Sequence, residues 1–388
     1  MAAALVSVNK TSPEAPSKGR LNYYDYQAQR YMPELDGVRA IAVSLAITAH
    51  LHERIWNFVS GFVGVTIFFV LSGYLITRLG LQEETRKGRL NVTSFYVRRI
   101  FRILPLYYFV LAVYIFLILG THLWATKVVP FRIALPYYLS FFQEVPSWMF
   151  GSAFASALPF YQSWSMGIEE KFYLFWPLLV AGIPRTRQNT RFAVAILGAL
   201  ICLIQGVLSE ARETYHLESY GFILLGVSLA LLLSRPRLYQ LFGQMAKLTT
   251  PLALLVMIMT QLSLRPQAHL RGFSVLYALA VTLIIGSLVT CKGVGTRILS
   301  TPALVFMGRV SYGIYLVHIL CLNALEQVIK PGSVTGQGLF IYIGTLGLST
   351  GVAYILHRAI EKPMIQVGRR ISDKPKPSPL ELEVPVAG

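Results

Sequence analysis

Apolar residues arrive in runs of about 20 along this chain, each long enough for a helix to cross roughly 30 Å of hydrocarbon. Spans are expected at about 37–57, 61–80, 103–123, 164–183, 192–209, 219–234, 251–265, 273–290, 303–326 and 338–358. The fold class that follows is an all-α, polytopic integral membrane bundle of about ten transmembrane helices. Composition agrees: 54% of the 388 residues are hydrophobic and 14% are charged, against about 25% charged in soluble domains. Between the third and fourth spans lies an aromatic stretch, RIALPYYLSFFQEVPSW, broken by Pro136 and Pro146. It reads as a re-entrant or interfacial segment.

The formal charge of +17 would suggest nucleic acid in a soluble protein, but here the basic residues lie in short loops between apolar spans. No nucleic-acid partner is expected; the lipid bilayer is. With the N-terminus inside, inner segments hold 25 of the 35 lysines and arginines. Making the aromatic stretch a full crossing would throw Arg185, Arg187 and Arg191 outside and invert every later loop. Ten spans with both termini cytoplasmic fit best. Residues 1–35 and 364–388 read as cytoplasmic tails, disordered for the most part, around a membrane domain at 36–363. Cys202, Cys291 and Cys321 show neither a pairing nor a metal-ligand spacing, and no metal is expected.

Ionisable side chains inside a span are expensive, which makes each a functional candidate. Arg39 and His50 share one face of the first span, roughly 16 Å apart along the axis. Counted from Asp36, His50 lies about 20 Å up, in the outer half. Counted from Trp164 at the outer surface, Glu169 lies only about 7 Å down, at the level of His50. A carboxylate beside an imidazole supplies the arrangement that general base catalysis needs. His52 and His318 also fall near outer ends, whereas His122, His216 and His269 sit in outer loops where a surface role is expected. For Glu170 and Lys171, adjacent opposite charges facing water are the plainer reading. Arg98 reads as a positive-inside anchor. Arg99 and Arg102, three apart on one face, offer a cationic clamp for a phosphorylated cytoplasmic ligand. The second span carries Gly61, Gly64, Ser72 and Gly73, small residues that permit close packing or leave room for a ligand. Near the end, GRVSYGIYLVHI crowds Arg309, Ser311, Tyr312, Tyr315 and His318 into one span.

These fragments, LDGVRAIAV with its Arg39 and His50, GFVGVTIFFVLSGYLIT, RRIFRILPLYY, WSMGIEEKFYLFWP, GRVSYGIYLVHI and HRAIEKP, come in an order that resembles the bacterial membrane-bound acyltransferase-3 proteins. The resemblance covers roughly residues 33–363. It implies transfer of an acyl group, usually acetyl, from cytoplasmic acyl-CoA to a hydroxyl of a glycan, a lipid-linked sugar or a glycosylated metabolite, in the bacterial cytoplasmic membrane. It makes His50 the base or acyl carrier with Glu169 beside it, and gives Arg39, Arg99 and Arg102 to the acyl-CoA. Ser72, Gly73, Trp164, Tyr312 and His318 would line the substrate path. WSMGIEE departs from the usual Leu and Ala at its centre but keeps the Glu. With about 25 residues after the last span, a stand-alone form is expected rather than one with an appended esterase-like domain. A secondary transporter with a buried Arg/His/Glu site is the alternative, and a non-catalytic assembly or sensory membrane protein a third class.

Overall fold

The computed structural model describes residues 22–51, 56, 59–121, 123–156, 158–208, 215–263, 272–329 and 337–372. Within them the chain is helical, with no strand. His52, His122 and His269, and the chain ends at 1–21 and 373–388, lie outside the described residues.

Ten helices coincide with the ten expected spans. They are α2 (Pro33–Thr48), α3 (Phe62–Lys87), α4 (Val92–Ile115), α7 (Trp164–Gly182), α8 (Gln188–Leu208), α9 (Tyr215–Leu233), α10 (Pro236–Ser263), α11 (Phe273–Thr290), α14 (Ser311–Val328) and α15 (Gln337–Leu356). Seven helical stretches are long and apolar enough to cross a bilayer, and α13 (Pro302–Arg309) with α14 forms an eighth, bent by 76°. The chain is a polytopic helical membrane protein. The two that fall short are α2, with 16 residues, and α7, whose 19 residues include Glu169, Glu170 and Lys171. These two helices carry the candidate site.

The aromatic stretch forms two 12-residue helices, α5 (Val128–Leu139) and α6 (Val145–Ser156), each too short to cross. Lipid-facing sides are apolar where they are exposed, as with Leu197, Ile201 and Ile204 on α8 and Leu255, Ile258 and Met259 on α10.

Local chemistry sets the helix ends. Pro33 opens α2 with Glu34 and Asp36 in its first turn, where the helix dipole favours acids. Arg86 and Lys87 close α3, and Gly88 follows at φ 75°, a left-handed position that a Cβ would strain. The Asn91 side chain accepts from the Ser94 amide at 3.0 Å and starts α4. At the centre of the bundle α3 and α9 touch backbone to backbone. A Cβ on Gly73 would sit 1.9 Å from the Ile223 carbonyl oxygen, and one on Gly226 the same distance from that of Val70.

Two parts of the expected tails are ordered. Inside 1–35, α1 (Tyr23–Ala28) docks beneath the bundle: Tyr26 is buried, and Arg78 on α3 donates to the carbonyls of Tyr26 and Gln29 at 2.6 and 2.7 Å. Gln82 donates to the carbonyls of Gln27 and Gln29. At the other end α16 (Lys362–Ser372) runs against α4, where Gly368 lets the backbone approach Phe101. Short polar stretches carry too little apolar pattern for sequence reading to see that they dock.

Candidate active site

A cavity of about 100 Å³ opens where α2, α3, α4, α7 and the α13–α14 bend meet. Arg39, Arg99, Arg102 and Arg309 line it with Glu169 and Glu170, and Ser72 and Tyr312 complete the polar part of the wall. Six of the residues singled out from sequence therefore share one chamber: Arg39, Ser72, Arg99, Arg102, Glu169 and Tyr312.

Arg99 and Arg102 come from successive turns of α4. The Arg99 guanidinium lies over the Tyr173 ring, 4.7 Å from its centre, and 5.7 Å from that of Phe95. Neither Arg99 nor Arg102 forms an ion pair with a carboxylate among the described residues. Arg98, by contrast, pairs with Glu83 at 2.7 Å, which fits an anchoring role. Arg39 is only loosely paired, 3.5 Å from Asp36.

The Glu169 carboxylate is held by two hydroxyl donors. Its Oε1 accepts from the Ser72 hydroxyl at 2.9 Å and its Oε2 from the Tyr173 phenol at 3.2 Å, in the chamber that holds Arg39. Trp164, the surface mark from which Glu169 was counted, is itself buried in the protein. The segment before α7 is already inside the bundle: Phe160, Gln162 and Ser163 are buried, and the Gln162 carbonyl accepts from Tyr315 at 2.8 Å. Ser165 bonds Tyr315 at 2.8 Å, and the Trp176 indole donates to Thr77 at 2.9 Å, which fixes the rotation of α7.

His50 lies just past the end of α2, its amide donating to the Ile47 carbonyl at 3.1 Å. Its ring neighbour is His318 on α14, with centroids 5.1 Å apart. The Tyr315 ring is 5.6 Å from that of His318 and also lines the chamber, so the histidine pair stands one aromatic side chain beyond the arginine-lined space.

Four further expectations need correction. Gly73 faces α9 at the helix contact and not the chamber, because Ser72 occupies the inward position beside it. Trp164 is a packing residue, stacked on Phe62 at 5.8 Å and edge-on to Phe69 at 6.0 Å. His216 is buried in the first turn of α9 against Trp164 and Trp148, not on an outer surface. Lys171, read as facing water, pairs with Glu144 at 2.8 Å and donates to the Phe141 carbonyl.

Sequence reasoning left Arg309, Ser165 and Tyr315 unassigned and read Glu170 as facing water, and all four line the chamber. The Arg309 guanidinium donates to the Tyr31 hydroxyl at 3.0 and 3.3 Å, and that hydroxyl donates to Asp36 at 2.7 Å. The polar density of GRVSYGIYLVHI was the available signal for Arg309 and Tyr315. Glu170 gave none, since only the helix rotation separates it from a surface charge.

Residues 32–358 match the family model described as an acyltransferase domain, acyltransferase 3. Similar proteins include YrhL of Bacillus subtilis, provisionally named a peptidoglycan O-acetyltransferase, 31% identical over 376 residues that make up 90% of this chain and 57% of that protein. The peptidoglycan O-acetyltransferase OatA of Listeria monocytogenes is 28% identical over 363 residues, covering 88% of this chain and 57% of the relative. A provisionally named O-acetyltransferase of Staphylococcus aureus is 29% identical over 364 residues, 88% and 59% of the two chains. The chain thus spans less than two thirds of the length of these relatives. No solved structure matches it. With a family match running from residue 32 to residue 358, the chain belongs to the acyltransferase 3 family.

Proposed function

We propose that this protein is a membrane O-acyltransferase that moves an acyl group, acetyl by default, from cytoplasmic acyl-CoA to a hydroxyl of a glycan, in the bacterial cytoplasmic membrane with both termini inside. The observation that carries the reading is the chamber in which Arg99 and Arg102 stand without carboxylate partners, one aromatic ring away from the His50–His318 pair. Unpaired guanidinium groups in a partly closed space suit the phosphates of a CoA. The thioester then extends past Tyr315 toward His50. The names of the Bacillus and Listeria relatives support a cell-wall glycan as acceptor.

His50 takes the proton of the acceptor hydroxyl as its oxygen attacks the thioester carbonyl; the C–S bond breaks, and the proton passes to the departing CoA sulfur. A two-step route through acyl-His50 uses the same residue and differs only in leaving a covalent intermediate that can be trapped. Purified protein in lipid, given labelled acetyl-CoA and envelope glycan, is expected to label the glycan or release acetate, and His50→Ala is expected to do neither. Full transfer by His50→Ala would sink both routes. No turnover of acetyl-, succinyl- or longer acyl-CoA by the wild type would bring the transporter reading forward.

A further inference from the structure

His318 is fully buried on α14, and its Nδ1 lies 2.7 Å from the carbonyl oxygen of Tyr315. A carbonyl only accepts, so Nδ1 carries the proton of a neutral ring and Nε2 is left as an acceptor. That Nε2 has no hydrogen-bond partner among the described residues. Buried acceptors are nearly always satisfied, and one that is not calls for a donor that arrives in some working state. The nearest ring is His50, whose centroid is 5.1 Å away and whose plane is inclined by 50°. Two imidazoles joined by an N–H···N bond of about 2.9 Å have their centres about 5 Å apart, so the present spacing needs only a ring rotation to make the bond. His50 is half-buried and sits just beyond a helix end.

We infer that His318 is a positioning residue for His50: its Nε2 accepts the His50 N–H, fixes the tautomer of that ring, and so makes the other His50 nitrogen the one that takes the acceptor proton. This is the role that sequence reasoning gave to Glu169, whose two oxygens are taken by Ser72 and Tyr173. The inference rests on the acyl-transfer reading. Through the reaction His318 keeps its own proton on Nδ1 and gives none away. The transferred proton travels from the acceptor hydroxyl to His50 and on to the CoA sulfur.

The test compares wild type, His318→Phe and His318→Gln in lipid with labelled acetyl-CoA and envelope glycan, together with melting temperature and folded yield. Phenylalanine keeps the ring volume without the acceptor, whereas the glutamine amide oxygen restores an acceptor near the same place. The expected result is a kcat lowered about 10²-fold in His318→Phe, with KM for acetyl-CoA within about twofold of wild type, and partial recovery of kcat in His318→Gln. Wild-type kcat in both variants would overturn the inference and leave the acyl-transfer reading standing. So would a loss of activity that merely follows the folded yield, equal in the two variants. An inactive wild type would overturn both together.

Discussion

The Ser72 hydroxyl and the Glu169 carboxylate, 97 positions apart, meet at 2.9 Å and tie α3 to α7 inside the arginine-lined chamber. With Tyr173 on its other oxygen, Glu169 has one donor on each lone-pair face, and its charge balances part of the field of Arg39 and Arg99. A carboxylate so held shapes the wall and sets charge; it is not arranged to orient an imidazole.

Glu169→Gln keeps the shape but turns one accepting oxygen into a donating NH2 that faces a donor. Turnover of acetyl-CoA is expected to fall at least about tenfold, while KM for acetyl-CoA stays level or drops, because a negative charge leaves the neighbourhood of the phosphates. Steady-state kinetics over a range of acetyl-CoA checks this. A raised KM with normal kcat would mean that Glu169 helps to hold the donor.

Arg99→Gln and Arg102→Gln are expected to act on binding. Each charge-assisted contact to phosphate is worth about 1.5–3 kcal/mol, which corresponds to a KM for acetyl-CoA raised roughly tenfold or more, with kcat changed much less. The effect should shrink as salt is added, most at the exposed Arg102. An unchanged KM in both variants would remove the phosphates from this chamber.

Arg191 makes a purely structural prediction. It is fully buried and bonds both oxygens of Glu84, at 2.7 and 2.8 Å, as well as the carbonyls of Val180 and Ile183. Arg191→Met leaves a buried carboxylate alone and is expected to cost about 3–5 kcal/mol, read as a lower melting temperature in detergent. Adding Glu84→Leu should recover a large share of it, since the pair then disappears as a unit. No recovery would mean that the carbonyl contacts to α7 carry the effect.

Gly73 and Ser72 should separate packing from chemistry at adjacent positions. Gly73→Val drives a side chain into the Ile223 carbonyl and is expected to collapse the folded yield. Ser72→Ala removes one hydrogen bond to Glu169 and should leave folding within about 1 kcal/mol while slowing turnover. Fluorescence-detected size-exclusion beside a turnover assay distinguishes the two.

The helices were legible because lipid imposes a length and an apolar run on each, and the runs stand plainly in the sequence. Arg39, Arg99 and Arg102 could be grouped because helix periodicity and loop charge place them at one membrane face. The partner of His50 could not be read: it lies on α14, far along the chain, and depends on how α14 leans after the 76° bend. The burial of Trp164 was equally out of reach, since a tryptophan that looked interfacial begins a helix packed inside the bundle. Arg191 looked like a loop charge because sequence shows charge but not the buried carboxylate that meets it.

Arg78 and Gln82 grip α1 through carbonyl oxygens of Tyr26, Gln27 and Gln29, with the Arg78 guanidinium also over the Tyr26 ring at 4.7 Å. Such a grip is indifferent to which amino acids stand at 27 and 29. Substitutions there can drift without loosening the dock, whereas a one-residue insertion between Tyr26 and Gln29 would break it while barely altering composition. The segment is addressed by its spacing, so its history of change should show up in letters and not in length.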